Sequence, residues 1–198
     1  MDMPLDDADT RDDAALLAAY AAGEAAAARA LTARLTPRVY AQAYRMLHDT
    51  AEAEDVAQEA MLRLWRAAPD WRVGEAQVST WLYRVAANLC TDRLRRRRWT
   101  GPPLDDVAEP PDPGPGAEAQ MMAAARHDAL GAALMALPER QRLAVVLRHI
   151  EGLPNPEIAQ IMEVGVEAVE SLTARGKRAL AAALRPQRAA LGFGGDDV

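Results

Sequence analysis

Two polar stripes lie at helical spacing in the first half of the chain. The first stripe combines acidic, amide and basic side chains at Asp55, Gln58, Glu59 and Arg63. The second stripe places hydrogen-bond donors at steps of four, three and four residues, at Arg84, Asn88, Thr91 and Arg95. Residues three or four apart are neighbours on a helix surface, and such donors suit phosphates and base edges. The stripes indicate one surface for a protein and another for nucleic acid, although a solvated helix face would equally explain the first.

Arginines close the second segment, at Arg93 and from Arg95 to Arg98. They suit phosphate binding, but cations at a helix C-terminus also complement the helix dipole, so part of their use can be structural. The chain has a net charge of −6, of which the residues up to Asp13 carry −5 and the segment from Thr100 to Glu118 another −5. The rest is therefore basic, and the acidic segments either solubilise the protein or compete with nucleic acid.

The reactive residue types argue against catalysis and against a metal site. A lone cysteine, Cys90, excludes an internal disulfide, and the three histidines, at positions 48, 127 and 149, lack ligand spacing. No nucleophile, base and orienting group stand at a recognisable spacing, and no phosphate-cradling glycine loop occurs. We expect no enzymatic activity, no metal and no other cofactor. The acidic N-terminus and the charges within the alanine-rich run predict no signal peptide, no membrane insertion and a cytoplasmic protein.

Apolar residues recur three or four positions apart through most of the chain, which predicts an all-α protein. The segment TGPPLDDVAEPPDPGPG, from Thr100 to Gly116, cannot continue a helix, so it predicts a flexible acidic linker rich in proline and glycine. Two small helical domains would lie on either side of it. The expected division is an acidic disordered tail at 1–12, a first domain at 13–99, the linker at 100–119, a second domain at 120–185 and a C-terminal tail at 186–198.

The first domain is predicted to contain four helices that end in the arginine run. Candidate helix stops are Pro37, His48–Asp49 and Pro69. The fourth helix should start near Ser79 or Thr80, whose hydroxyls can accept from first-turn amides. The inward faces of the third and fourth helices are predicted at Val56, Ala60, Leu64, Leu82, Val85, Ala86 and Leu89.

The second domain is predicted to contain a helix-turn-helix. A helix from Met121 to Ala136 precedes another that starts at Pro138 and ends in a turn at Glu151–Gly152. Asn155 and Pro156 then form a helix start signal, with the asparagine as N-cap and the proline at the first helical position. Val166 to Leu184 is the candidate recognition helix.

Three motifs carry a resemblance to a known family. They are DxxQExxxRxW from Asp55 to Trp65, TWLYRxAxN from Thr80 to Asn88, and LPERQR from Leu137 to Arg142. In this order they resemble regions 2 and 4 of the bacterial extracytoplasmic-function (ECF) RNA polymerase sigma factors, over about residues Asp13 to Arg185. The resemblance implies a dissociable subunit that binds core RNA polymerase and directs promoter-specific initiation by melting the −10 element and recognising the −35 element.

The resemblance also implies roles for individual residues. The surface for the clamp helices of the polymerase β′ subunit would comprise Asp55, Gln58, Glu59, Arg63 and Trp65. The contacts to the opened −10 strand, which include a pocket for a flipped base, would be Trp71, Trp81, Arg84, Asn88, Arg95, Arg96 and Arg97. Trp71 and Trp81 are individually as well explained as core residues. The −35 contacts would be Glu167, Ala168, Glu170, Ser171, Arg175, Lys177 and Arg178.

The recognition region departs from the family pattern at three positions. Glu163 stands where many members have glycine in the tight turn, and Glu170 and Leu172 stand where they have basic residues. A left-handed Glu163 would cost roughly 1 kcal/mol unless Gly165 absorbs the bend. Phosphate would repel Glu170, although a carboxylate can accept from cytosine N4. We expect an altered −35 sequence or a weaker dependence on that element.

The implied partners are core RNA polymerase, through its β′ clamp helices and β flap, promoter DNA, and an anti-sigma factor that covers these surfaces. The resemblance implies that the protein alone should bind DNA poorly because few basic groups are exposed. Two alternatives remain open. An autonomous helix-turn-helix regulator would bind an operator as a dimer without polymerase, and a helical adaptor would bind proteins only.

Overall fold

The computed structural model describes residues 10–72, 74, 76–100 and 117–187. Within these ranges the chain forms eight α-helices and no β-strand, which confirms the all-α prediction. The helices are α1 (Asp13–Ala21), α2 (Ala25–Leu47), α3 (Thr50–Ala67), α4 (Val78–Thr100), α5 (Ala117–Met135), α6 (Glu139–Val145), α7 (Asn155–Met162) and α8 (Val166–Leu184). A 3-10 turn follows α3 at Ala68–Asp70, a π-helical turn extends α6 over Val146–Ile150, and a second 3-10 turn follows α8 at Arg185–Gln187.

Several predicted segments lie outside the described residues. They are the acidic tail up to residue 9, most of the predicted linker at 101–116, two positions of the loop after α3 at 73 and 75, and the C-terminal tail from residue 188. The division into two domains joined by a flexible linker therefore stays a prediction.

The predicted helix stop at Pro37 is wrong. α2 runs through Pro37, and the break between the first two helices lies instead at Gly23, whose φ is 97°. A proline inside a helix removes one backbone hydrogen bond and costs about 3 kcal/mol. The buried stripe of α2 continues across the proline at Leu31, Leu35 and Val39. Packing of this stripe on α3 and α4 offsets the local cost.

The predicted stop at His48–Asp49 is confirmed. His48 takes a left-handed conformation with φ of 52°, and its backbone N–H donates to the Tyr44 carbonyl at 2.7 Å. The Asp49 carboxylate caps α3 by accepting from the Glu52 N–H at 2.9 Å. The cap gives an otherwise unsatisfied amide in the first turn of α3 a hydrogen-bond partner. The tight connection at His48–Asp49 also lets α3 pack on α2.

The start of α4 differs slightly from the prediction. The helix begins at Val78, so Ser79 and Thr80 are its second and third residues rather than its cap. The Thr80 hydroxyl donates to the Glu157 carboxylate at 2.6 Å instead of accepting from a first-turn amide. The predicted inward faces are correct: Val56, Ala60, Leu64, Leu82, Ala86 and Leu89 are buried, and Val85 is half-buried.

The helix-turn-helix forms from α7 and α8. α7 begins at Asn155 itself, without a side-chain cap. The reason is that the Pro154 carbonyl accepts from the Glu157 and Ile158 amides at 3.0 and 3.1 Å, which starts the helical turn one residue before the predicted position. α8 covers the predicted recognition helix.

The turn between α7 and α8 depends on Glu163. This residue is left-handed, with φ of 53° and ψ of 50°, whereas Gly165 is extended with φ of −71°. A left-handed residue with a side chain costs roughly 1–2 kcal/mol. The sequence left open whether Glu163 or Gly165 takes the strained conformation, and the structure places the strain at Glu163.

The second group of helices, α5 to α8, packs directly on the first group, α1 to α4. Contacts join α4 to α7 and α2 to both α5 and α6. The cluster of buried apolar residues that fills the first group also includes Leu143, Leu147, Ile158, Ala159, Ile161 and Val169. A smaller cluster holds α5 on α6 through Leu134, Leu137, Val145 and Val146. The two predicted domains thus share an apolar interface.

None of the helices in the described ranges combines the length and the apolar content that a membrane crossing requires. In the same ranges no three His, Cys, Asp or Glu side chains gather as a metal site would need. Cys90 is buried within α4, and burial raises the pKa of its thiol to about 12.

The close contact between α6 and α8 at Gly176 can be tested. A Cβ at Gly176 would lie 2.6 Å from Val145 Cγ2 and 3.1 Å from the Gln141 carbonyl. We expect Gly176→Val to lower the free energy of unfolding by about 1–3 kcal/mol, because the added atoms overpack the interface. Valine is a better helix former than glycine, so crowding must be the source of the loss. Urea unfolding followed by circular dichroism measures it, with Ala174→Val at an exposed position of α8 as the control. Equal losses would contradict the close packing.

Candidate functional site

The residues predicted to dock on polymerase lie on one side of α3. Asp55, Gln58 and Arg63 are exposed, and Glu59 and Trp65 are half-buried. Arg63 donates to Glu59 at 2.8 Å, and this hydrogen bond lowers the pKa of the Glu59 carboxyl. The surface therefore presents acidic side chains beside an amide and an arginine.

An apolar groove of about 570 Å³ adjoins this side of α3. Its α3 wall includes Gln58 and Trp65, and its α2 wall is formed by Thr32, Thr36, Pro37 and Tyr40. Leu62, which is 42% exposed, lies between the two α3 residues. The sequence analysis did not single out Leu62, yet it follows Gln58 by four residues and precedes Trp65 by three, a spacing that places all three on one helix face. An apolar groove with a polar edge suits a partner helix.

Trp71, in the connection between α3 and α4, meets Trp81 of α4. Their rings are nearly perpendicular, at 84°, with centroids 5.7 Å apart. Together with Arg72 and Arg84 they line a cavity of about 560 Å³. The Trp71 indole N–H is buried and has no hydrogen-bond partner among the described residues. Aromatic walls, an unpartnered donor and a guanidinium are the groups that hold an unstacked base and its phosphate.

The polar stripe of α4 lies beside the second group of helices. Arg84 is 3.8 Å from the Glu163 carboxylate. Asn88 and Thr91 line a separate cavity of about 340 Å³, whose opposite wall includes Glu139 and Glu163. The structure therefore brings Arg84 to the tryptophan pair and places Asn88 in a different cavity.

The arginine run divides into two groups. Arg97 turns towards the start of α3, where it donates to the Leu47 carbonyl at 3.2 Å, to Asp49 at 2.9 Å and to Glu52 at 3.1 Å. Arg93, four residues earlier, points the same way and lies 3.4 Å from Glu52. These two arginines hold the end of α4 against α2 and α3, as the structural interpretation of the run expected.

Arg95, Arg96 and Arg98 are exposed, unlike Arg93 and Arg97. Arg95 donates to Asp92 one turn earlier at 2.8 Å, and its side chain remains 68% exposed. The three exposed arginines are thus the part of the run that can reach a phosphate backbone, with Arg98 also donating to Glu139 at 3.3 Å, and Arg97 is not placed for it.

The residues predicted to contact the −35 element lie along α8. Six of them are exposed and Ser171 is half-buried, where its hydroxyl accepts from Arg175 at 3.1 Å; the exposed six are Glu167, Ala168, Glu170, Arg175, Lys177 and Arg178. The acids occupy the first half of the helix and the cations the second half. Attraction to phosphate is therefore confined to the C-terminal half of α8.

Known proteins match the chain in both halves. The protein family described as Sigma-70 region 2 matches residues 31–100, and the family described as Sigma-70, region 4 matches residues 127–180. The chain is 37% identical over 172 residues to the ECF RNA polymerase sigma factor SigM of Mycobacterium tuberculosis (strain H37Rv). This match covers 86% of this chain and 84% of SigM. The chain belongs to the ECF RNA polymerase sigma factors.

Further likenesses agree with this membership. The sigma factor is 31% identical over 157 residues to SigW of Bacillus subtilis (strain 168), covering 75% of this chain and 83% of SigW. Its fold resembles CnrH, solved in complex with the cytosolic domain of CnrY, with a TM-score of 0.65 at 27% identity over 88% of this chain and 97% of CnrH. The main function predicted from the sequence is confirmed: the sigma factor acts in transcription initiation with RNA polymerase and promoter DNA. An autonomous regulator or a simple adaptor does not account for both matched regions.

The division of the arginine run predicts different effects of two alanine substitutions. We expect Arg97→Ala to lower the free energy of unfolding by about 1–3 kcal/mol, because it removes hydrogen bonds to two carboxylates and a helix-end carbonyl. We expect Arg95→Ala to change it by less than about 0.5 kcal/mol, because its partner is an exposed residue on the same helix. Urea unfolding curves of the two variants measure both effects. Equal effects would show that the run is not divided in this way.

Proposed function

We propose that the sigma factor docks on the β′ clamp helices of core polymerase through the exposed side of α3. The contacts would be Asp55, Gln58, Glu59, Arg63 and Trp65. The groove beside them supports this proposal, because Leu62 adds an exposed apolar residue between Gln58 and Trp65. A helix of the partner would seat its apolar face in the groove and its polar groups on the acids and amide.

We further propose that the cavity between Trp71 and Trp81 receives a base unstacked from the −10 element. The observation that carries this proposal is the meeting of two perpendicular indoles, an unpartnered indole N–H and Arg84 at one cavity. Arg95 and Arg96 would follow the phosphates of the opened strand, and Asn88 would contact a base edge. Arg97 would position α4 instead of touching DNA.

The recognition helix would make the −35 contacts with an uneven distribution of charge. Arg175, Lys177 and Arg178 would bind phosphates, while Glu167, Ala168, Glu170 and Ser171 would face base edges in the major groove. Because the first half of α8 is acidic, we propose that the −35 element is altered or contributes less than the −10 element.

We infer that the sigma factor acts in the cytoplasm, by binding and without catalysis of its own. We also infer control by an anti-sigma factor. This inference is supported by the likeness to CnrH, which was solved with the cytosolic domain of CnrY bound. Such a partner would cover the α3 and α4 surfaces named above.

In vitro transcription tests the proposed function directly. Purified core polymerase, with a library of candidate promoters, should initiate at specific sites only when the folded sigma factor is added. Sequencing of the transcript starts would reveal shared −10 and −35 sequences. Promoter-independent transcription alone, with a folded and uninhibited protein, would refute the proposal.

Two substitutions should separate docking from strand capture. Asp55→Arg should weaken co-elution with core polymerase, while Asp128→Arg, an equal charge change at an exposed position of α5, should not. Trp81→Ala should keep core binding but lower promoter opening about 5- to 100-fold, because one base loses an aromatic stacking partner. Permanganate reactivity of the −10 thymines measures opening, and Trp81→Tyr should largely restore it. Normal opening with Trp81→Ala would contradict the base-pocket assignment.

A further inference from the structure

Trp99, near the end of α4, is an exposed aromatic residue to which the sequence analysis gave no role. Its side chain is 86% exposed, and among the described residues the other large apolar side chain that is exposed is Leu62, at 42%. Leu62 belongs to the groove beside α3, whereas Trp99 lines none of the cavities described above. Single apolar side chains are common on protein surfaces, so exposure alone does not make Trp99 a site. Its position on α4 is more informative.

Trp99 lies in line with the polar stripe of α4. The stripe starts at Arg84 and ends at Arg95, and Trp99 follows Arg95 by four residues. At the other end, Trp81 precedes Arg84 by three residues. Trp81 and Trp99 are eighteen residues apart within one helix, which is about five turns and about 27 Å, so both indoles lie on the same side of α4. The stripe is therefore bracketed by two tryptophans.

Arginines surround Trp99 on the surface of α4. Arg95 and Arg96 precede it by four and three residues, the spacing at which side chains are neighbours on a helix. Arg96 is exposed, and the side chains of Arg95 and Arg98 keep exposures of 68% and 70% although each contacts a carboxylate. An aromatic side chain beside guanidinium groups is the combination that binds single-stranded nucleic acid, with the ring stacking on a base and the cations near phosphates.

The surroundings of Trp99 favour an opened strand over two other occupants. Within a duplex both faces of each base are covered by neighbouring bases, so an indole can stack only on an unpaired base or at a duplex end. A membrane surface would need a wide apolar face, but the neighbours of Trp99 one turn earlier are arginines. A protein partner would bury the indole through its apolar surface, for which an aliphatic side chain serves as well as an aromatic one.

We propose that Trp99 is a second stacking residue for the opened strand, separate from the cavity at Trp71 and Trp81. This proposal rests on the proposed −10 role of α4. At 3.4 Å per nucleotide for a stacked strand, the span of about 27 Å between Trp81 and Trp99 corresponds to at most about eight nucleotides. Trp81 would hold one unstacked base, Trp99 would stack on another base of the same strand, and Arg84 and Arg95 would meet phosphates between them.

The two tryptophans would differ in what they recognise. Trp81 is half-buried and shares its cavity with Trp71 and Arg84, so the shape and donors of that cavity can select a base. Trp99 is open to solvent, and every base presents an aromatic face to it. Trp99 would therefore add affinity for the opened strand without adding sequence specificity.

Two substitutions at Trp99 test for stacking. The probe is a single-stranded oligonucleotide that carries the −10 region of a promoter from which core polymerase with this sigma factor initiates. We expect Trp99→Leu to weaken its binding to that complex about fivefold or more, and Trp99→Phe to bind much as the unchanged protein does, because phenylalanine keeps a stacking face and leucine keeps only apolar volume. Both variants should co-elute with core polymerase and unfold at the same urea concentration as the unchanged protein, because Trp99 is exposed.

An abasic site moved through the oligonucleotide identifies the base. At one position the missing base should weaken binding by the unchanged protein, and Trp99→Leu should add no further loss there. A second position should behave in this way towards Trp81→Ala, at most about eight nucleotides from the first. Exchange of the base at the Trp99 position for any other base should change the affinity by less than about twofold, because stacking tolerates every base.

The outcomes distinguish this proposal from the proposed function. If Trp81→Ala weakens binding of the oligonucleotide and Trp99→Leu does not, the stacking role of Trp99 is wrong and the proposed function stands. Equal effects of Trp99→Leu and Trp99→Phe, a loss of co-elution with core polymerase, or the lack of an abasic position that removes the effect of Trp99→Leu would also overturn it. If the unchanged protein supports no initiation, the proposed function fails and the role of Trp99 fails with it.

Discussion

The end of α2 binds both halves of the structure through hydrogen bonds from two arginines. A helix leaves its last carbonyls without partners of its own. The Met46 carbonyl accepts from Arg142 and the Leu47 carbonyl accepts from Arg97 at 3.2 Å. Arg142 is only 5% exposed, and burying a cation is costly unless its donors are paired, so its bonds to two further carbonyls at the α5–α6 corner matter as much. Two arginines thus fix α4 and the second helical group against one helix end.

The position of each arginine around α4 likewise decides which partner it meets. Arg93 and Arg97 meet acids of the α2–α3 joint, and Arg84 and Arg98 meet glutamates of the second group. Arg95 remains largely exposed. A helix that looks strongly basic in the sequence is therefore mostly neutralised in the folded chain. This explains how an acidic protein can carry the proposed DNA-binding helix without attracting DNA indiscriminately.

The sequence predicted what depends on local spacing, and it failed where distant residues decide. The inward faces of α3 and α4 follow from helical periodicity, and the family was recognised from three short sequence motifs. The stop at Pro37 was wrong because packing of the whole α2 stripe outweighs one lost hydrogen bond. Arg97 was grouped with its neighbours although its spacing of four from Arg93 already placed the two on one face. The contact between the helical groups depends on complementarity across a long separation, which no local pattern contains.

Glu163 is a locally unfavourable residue whose cost must be offset elsewhere in the fold. Its left-handed backbone costs roughly 1–2 kcal/mol in any state that keeps the turn. Its ion pair with Arg84 spans 3.8 Å, and because the Glu163 side chain is 72% exposed, solvent screens the attraction to about 0–1 kcal/mol. The pair therefore does not offset the strain, and Glu163 does not stabilise the fold. The strain is offset instead by the packing of α7 and α8, whose Ile158, Ile161 and Val169 belong to the large buried apolar cluster.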